Sequence, residues 1–402
     1  MTWLFWFSVA GISYSYFIYP LVLLLLPKRK PVRDVWDEAD LPSVSLIIAA
    51  HNEAARIEAK IRNSLQLDYP RDRLEILVAS DASTDGTDAM ANRFVAQGVR
   101  LVRASERHGK EYAQGLAVAA AKGDILVFSD AGTEIPADAV RKMVAGFADR
   151  RVGAVSSEDR FISQDGRVVG EGMYVRYEMW LRRLESQVYS IVGLSGSFFA
   201  VRAAVYNNQH AYQAKLLNGQ QLDQPSGHMP SSWSTTVDSD FNSALQCVKH
   251  GYVAISDPQV VGIYRDIKDP KREYQRKVRT VIRGVTGLAS RVEVLNLFQY
   301  GFFAFQVWSH KVMRWAVPWF MGVLLISNIA LISGGPAYII AFVLQSVGYV
   351  LALTGWLSSR AQGSMLVRTA YFFVLANWAV AHATVAYLCG TRVQVWTPSV
   401  RS

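Results

Sequence analysis

Apolar and polar positions come in alternating blocks from residue 41 onward. The run 44–50 is apolar but for Ser45, and 53–67 then carries Ile57, Ile61 and Leu65 at the spacing of one helix face. The same succession predicts a strand over 74–79, then a helix over 85–97 opened by Thr84 or Asp85. It continues as strand 99–102, helix 110–122, strand 125–129, helix 138–147 and strand 152–156. Strands apolar along their length and separated by helices predict an α/β domain with a mostly parallel sheet covered on both faces. Past 156 the alternation loosens. A helix over 172–189, a Gly/Ser loop at 193–197, a helix over 241–249 and a strand over 252–255 are predicted. Between them, 207–233 is rich in Gln, Asn, Ser and Pro without a period, which reads as an inserted loop.

Both flanks of this block are apolar at bilayer length. Residues 3–26 form an uncharged stretch of 24 residues followed by Lys28, Arg29, Lys30 and Arg33. No basic region precedes the stretch and no small-residue cleavage site follows it, so it reads as an anchor rather than a cleaved leader. The basic cluster places the next domain in the cytoplasm and Met1 outside. Runs 316–333 and 337–357, joined by Gly334-Gly335-Pro336, read as a hairpin of spans whose outer ends Lys311, Arg314, Arg360 and Arg368 keep cytosolic. Residues 370–389 read as a further span. It would leave Arg392 and Arg401 outside, which the charge rule disfavours, so the last topology stays open. Residues 295–308, with Asn296, Gln299 and Gln306, read as interfacial. Arg272, Arg276, Arg279 and Arg283 share one helix face, with Val278, Val281, Ile282, Val285 and Leu288 on the other, the pattern of a helix lying in the headgroup layer. The expected organisation is an anchor (1–27), a linker (28–40), the α/β domain (41–265), basic interfacial helices (266–314) and a membrane region (315–402).

The 402 residues are 51% hydrophobic with a formal charge of +9, which excludes a disordered chain and leaves room for one large domain plus spans. Much of the basic excess lies beside the spans or in the arginine stripe, so membrane lipids rather than nucleic acid are the expected partner. Cys247 and Cys389 alone give neither a disulfide framework nor zinc-ligand spacing. The turn after the first strand, residues 49–53, contains no glycine, which argues against dinucleotide binding.

Two carboxylates, Asp81 and Asp130, stand at predicted strand ends, where ligands of open α/β sheets bind. Glu158 and Asp159 follow another predicted strand end as an acidic pair able to contact acceptor hydroxyls.

Three stretches, in this order, resemble the family 2 glycosyltransferases, GT-A enzymes that use nucleotide-activated sugars. VSLIIAAHNEAARI is similar to their first strand and Asn-Glu turn, and SDASTDGT to their Asp-x-Ser-Thr-Asp turn. HGKEYAQGLAVAAAKGDILVFSDAGT is similar to their Gly-Lys helix leading to an Asp-x-Asp strand end. The resemblance runs from about 44 to 287, and the flanking spans fit the membrane-bound polysaccharide synthase-like branch.

The resemblance implies a GT-A sheet flanked by transmembrane helices. Asn52, Glu53 and Asp81 would line the nucleoside pocket, and Lys110 would meet the diphosphate. Asp130 would hold Mg²⁺ or Mn²⁺ against it, although Gly132 replaces the second acid and Glu134 stands nearby. Asp240 would be the base, with Ser239 in place of its usual acidic neighbour and Asp238 close by. Gly193, Ser195, Gly196 and Ser197 would form the acceptor loop. In 276–280, Arg279 matches the arginine of a Gln-x-x-Arg-Trp motif that serves the diphosphate, with Arg276 and Thr280 in place of its Gln and Trp. The implied enzyme is an inverting hexosyltransferase in a bacterial inner membrane with its catalytic domain cytosolic. It would pass sugar from a nucleotide-sugar donor to a polyprenyl-linked or growing polysaccharide acceptor in exopolysaccharide or envelope glycan assembly. Other glycan-assembly proteins would be partners. A processive synthase and an inactive membrane scaffold are the alternatives.

Overall fold

The structure, a computed structural model, describes residues 1–30, 36–162, 173–206, 239–265 and 270–392. Arg33, the stretch 207–233, Asp238 and Arg401 lie outside the described residues, as do the side chains of Ser239 and Arg272. The chain divides into two units. One holds Met1–Pro27, Asp269–Val285 and Val292–Arg392, and the other is mainly Lys28–Lys268.

In chain order, helix α1 (Thr2–Leu25) belongs to the first unit. The second unit then alternates β1 (Val44–Ala50), α2 (Ala54–Leu65), β2 (Leu74–Ser80), α3 (Thr87–Asn92), β3 (Val99–Arg103), α4 (Lys110–Ala120) and β4 (Ile125–Asp130). It continues with α5 (Ala139–Ala145), β5 (Val152–Ile162), α6 (Met173–Val188), β6 (Phe198–Arg202), α7 (Ser239–Lys249) and β7 (Val253–Arg265). The strands form one seven-stranded sheet in the order β3-β2-β1-β4-β6-β5-β7. β3, β2, β1 and β4 are parallel, β6 runs antiparallel to β4 and β5, and β7 is parallel to β5. The expected mostly parallel sheet is present. Alternate residues of β1 serve opposite faces: Leu46 and Ile48 pack with Ile57 and Ile61 of α2, while Ile47 packs with Ala113 and Ala117 of α4.

Register brings the site together. Ala50 pairs with Ser80 and Ala49 with Asp130, so the carboxyl ends of β2, β1 and β4 stand level.

Three expectations change. β6 has no counterpart in the sequence pattern. β5 does not end at 156 but passes through a register shift after Ser156 to 162, so Glu158 and Asp159 lie inside it, opposite Val261 and Gly262. β7 likewise continues past 255 through Asp257-Pro258, which is tolerated because β7 is the edge strand.

In the first unit, α8 (Pro270–Ala289) enters through residues 269–285, followed by α9 (Leu297–Leu331), α10 (Pro336–Leu357) and α11 (Met365–Leu388). Among the described residues four helices, α1 and α9 to α11, are long and apolar enough to cross a membrane. Residues 297–308 of the segment expected to be interfacial belong to α9, which has a break at Gly301 (φ +52°). Asn296 starts it by accepting from the Phe298 and Gln299 amides, and Gln306 is fully buried. Within α8, Tyr274 bonds His382 at 3.0 Å and the Lys277 ammonium lies 5.9 Å from the Phe372 ring centroid.

Candidate functional site

The loops leaving β1 and β2 are tied to each other by side chains. The Asn52 amide donates to Ser83 Oγ (3.2 Å), and Asn52 Oδ1 accepts from the Thr84 amide (2.9 Å). Asn52 and Ala82 both take left-handed backbone (φ +53° and +50°), a cost of the kind stored at ligand sites. The Glu53 amide donates to Thr87 Oγ1 at 2.8 Å, and the buried Glu53 carboxylate pairs with Arg56 at 3.3 Å. Asp85 accepts from the amides of Ala54 (3.0 Å) and Thr87 (3.1 Å), so one carboxylate serves the starts of α2 and α3. Burial alone would raise its pKa, but these bonds outweigh burial and hold the carboxyl below its usual range.

Asp81 is buried, and its two oxygens accept the amides of His108 and Gly109, each at 2.9 Å. It therefore fixes the turn that launches α4. Gly109 is needed there because its φ is +102°, and it delivers Lys110 at the first helical position. Lys110 Nζ stands 2.5 Å from Asp130 Oδ1 and donates to the Gly196 carbonyl at 2.7 Å.

The loop 193–197 is gripped from several sides. The Asp130 amide donates to the Ser197 carbonyl (3.1 Å), and Ser195 Oγ donates to Asp159 Oδ1 (2.6 Å). Arg182 donates to the Gly193 carbonyl at 3.2 Å and to Ser156 Oγ at 2.6 Å. Glu158 is buried with both oxygens on Arg183, at 2.5 and 2.6 Å. Asp240, at the start of α7, accepts from the Phe241 amide at 2.7 Å. Its Oδ2 would lie 3.1 Å from a Cβ at Gly196, so a larger residue there would press on the carboxylate. Lys110, Asp130, Gly196 and Asp240 thus meet around one short loop. Arg279 lies in the other unit, on α8, and is half-buried.

Asp130 suits a divalent cation. Its Oδ1 is paired with the Lys110 ammonium, the group placed to meet a diphosphate, and a Cβ at Gly132 would meet nothing within 4 Å, so the turn is open beside the carboxylate. Among the described residues no group of three or more His, Cys, Asp or Glu could hold a metal ion, so further ligands would come from a diphosphate and water.

Lys60 was not among the expected site residues. It lies under the Asp130 turn, donating to Ser129 Oγ and the Thr133 carbonyl, each at 2.7 Å. Burial pulls its pKa down to about 7, with Asp130 and Glu134 drawing it back up. A signal existed, since Lys60 falls on the core-facing stripe Ile57, Lys60, Ile61, Ser64.

The sheet order and the strand-end carboxylates define a GT-A domain. A mannosyltransferase from Pyrobaculum calidifontis, solved with GDP-Man and Mn²⁺, shares the fold at TM-score 0.68 and 24% identity, covering 96% of this chain and 98% of that one. The model described as glycosyl transferase family 2 matches residues 45–208 of this chain. The beta-monoglucosyldiacylglycerol synthase of Synechocystis sp. is 31% identical over 160 residues, 38% of this chain and 33% of that protein. The poly-beta-1,6-N-acetyl-D-glucosamine synthase of Staphylococcus aureus is 27% identical over 195 residues, 47% of this chain and 45% of that protein. The chain thus spans less than half the length of these curated relatives.

Proposed function

We propose that the protein is a membrane-bound inverting glycosyltransferase. It moves a sugar from a nucleotide-sugar donor to a lipid-linked or growing polysaccharide acceptor at the inner membrane. The observation that carries this reading is the convergence of Lys110, Asp130 and Asp240 on the loop 193–197. Asn52, Glu53 and Asp81 shape the nucleoside side, and the Lys110 ammonium meets the diphosphate. Asp240 takes the proton of the acceptor hydroxyl while its oxygen attacks the anomeric carbon. The bond from that carbon to the diphosphate breaks, and the nucleoside diphosphate leaves with the electron pair. A divalent cation on Asp130 would supply charge neutralisation for the departing diphosphate. Ser195 and Gly196 offer a small-residue surface for the acceptor ring, positioned by Asp159 and Lys110. A one-step displacement inverts the anomeric centre. The resemblance assigns Arg279 to the diphosphate, and Thr280 in place of Trp favours a single transfer over processive extension.

The test is to supply the purified protein with UDP- and GDP-sugars, Mn²⁺ and a bacterial lipid extract. Transfer with inverted configuration supports the reading. Retained configuration defeats the one-step inverting mechanism, whereas neither transfer nor donor hydrolysis with any donor defeats the enzyme reading and favours the scaffold alternative.

A further inference from the structure

Lys60 has no part in the chemistry above, yet it occupies a costly position. It is 3% exposed, and its hydrogen-bond partners are a hydroxyl and a carbonyl rather than a carboxylate. Taking an ammonium out of water is costly unless it is paired, and a Met would fill similar space with no such cost.

What the lysine gains is geometric. Ser129 and Thr133 are the two ends of the turn that carries Asp130 and Gly132. One helical turn on, Asn63 grips the next residues, its Nδ2 donating to the Ile135 carbonyl (2.8 Å) and its Oδ1 accepting from the Ile135 amide (3.0 Å). Two side chains at i and i+3 on α2 therefore hold 129–135 by four bonds. The same helix begins at the Asn52–Glu53 turn, so it links the nucleoside side of the site to the Asp130 side. On the opposite flank the Asp130 amide is held by Ser197, and Glu134 exchanges two backbone bonds with Ile263. With glycine at 132 the turn presents one carboxylate, so cation placement depends on where the turn holds Asp130.

We propose that Lys60 is a positioning residue that fixes the Asp130 turn from beneath, so that its single carboxylate can hold a divalent cation against the donor diphosphate. This rests on reading the pocket as a nucleotide-sugar site.

The test follows Mn²⁺ uptake by electron paramagnetic resonance in wild type, Lys60→Met and Ser129→Ala. Each is titrated alone, with UDP and with GDP, and folding is checked by thermal melting. Losing a residue that orients a metal ligand typically weakens metal binding by about 10–100-fold, and that loss is expected for Lys60→Met. Ser129→Ala, which removes one of the two bonds, should weaken it less. Nucleotide affinity in chelator should stay at the wild-type value in both, which general disruption of the pocket would not allow. Wild-type Mn²⁺ affinity in folded Lys60→Met overturns the assignment and leaves the proposed function standing. Should Lys60→Met fail to fold, Ser129→Ala decides by the same criterion. No Mn²⁺ uptake by wild type with either nucleotide overturns both.

Discussion

Asp240 and Gly196 are separated by slightly less than the space a methyl group needs, with 3.1 Å from a Cβ at Gly196 to Asp240 Oδ2. At this scale the base assignment is sharp enough to test. Asp240→Asn keeps the shape and removes the proton acceptor, so transfer should fall by about 10²–10⁴ while donor binding stays within a few-fold. A transfer assay beside a donor titration checks it, and wild-type turnover would remove Asp240 from the role. Gly132 supports a prediction in the opposite direction. A Cβ there meets no atom within 4 Å, and its backbone is not in the left-handed region that favours glycine. Gly132→Asp should therefore fit and add a second carboxylate to the turn, tightening Mn²⁺ by roughly tenfold, since ligand charge count sets affinity. Unchanged Mn²⁺ affinity in calorimetry would mean that the cation binds elsewhere. Asp81 shows why motif and role are separate questions. It stands at its expected strand end, but what it holds in the structure is the backbone of His108 and Gly109.

Among the elements, α8 carries the arginine stripe. Val278 and Ile282 on its other face are buried, as the apolar spacing leads one to expect. Each basic residue near an anionic surface contributes about 1 kcal/mol to binding. Replacing Arg272, Arg276 and Arg283 by Gln should therefore lower activity in anionic liposomes and change little in neutral detergent. Arg279→Gln should lower activity in both media, because the motif match assigns it to the diphosphate. Arg279→Lys should recover only part, since an ammonium lacks the guanidinium fork. Identical behaviour of all four positions in the two media would make α8 a uniform surface anchor. β5 is the element where local reading misleads most. Ser156-Ser157-Glu158-Asp159-Arg160 has the composition of a loop, yet it is strand because Arg183 from α6 neutralises Glu158 and β7 supplies the ladder.

For the whole molecule, the buried Lys60 ties stability to pH. Its ordinary pKa of 10.5 falls to about 7 on folding. Below pH 7 it is charged in both states, and the full burial penalty is present. Between about 7 and 10.5 the folded protein has lost the proton while the unfolded chain retains it, so the unfolded state binds more protons and stability rises with pH. Other groups titrate across this range, so the informative quantity is wild type minus Lys60→Met. That difference in unfolding free energy should climb by a few kcal/mol from pH 7 to 10. Denaturant melts at several pH values check it, and a flat difference would show that the lysine keeps its ordinary pKa when folded.

The order of strands and helices from 44 to 156, the turns at 51–53 and 81–87, and the apolar spans are written in local pattern. Each depends on side-chain periodicity or turn chemistry within a few residues, so a single segment suffices to reveal it. The places of Lys60 and Glu158, the length of β5 and β7, and the existence of β6 depend on segments far apart in the chain. Lys60 meets Ser129 across 69 residues and Glu158 meets Arg183 across 25. A polar side chain can be buried only once such a distant partner satisfies it, and until the chain has folded its sequence neighbourhood says surface.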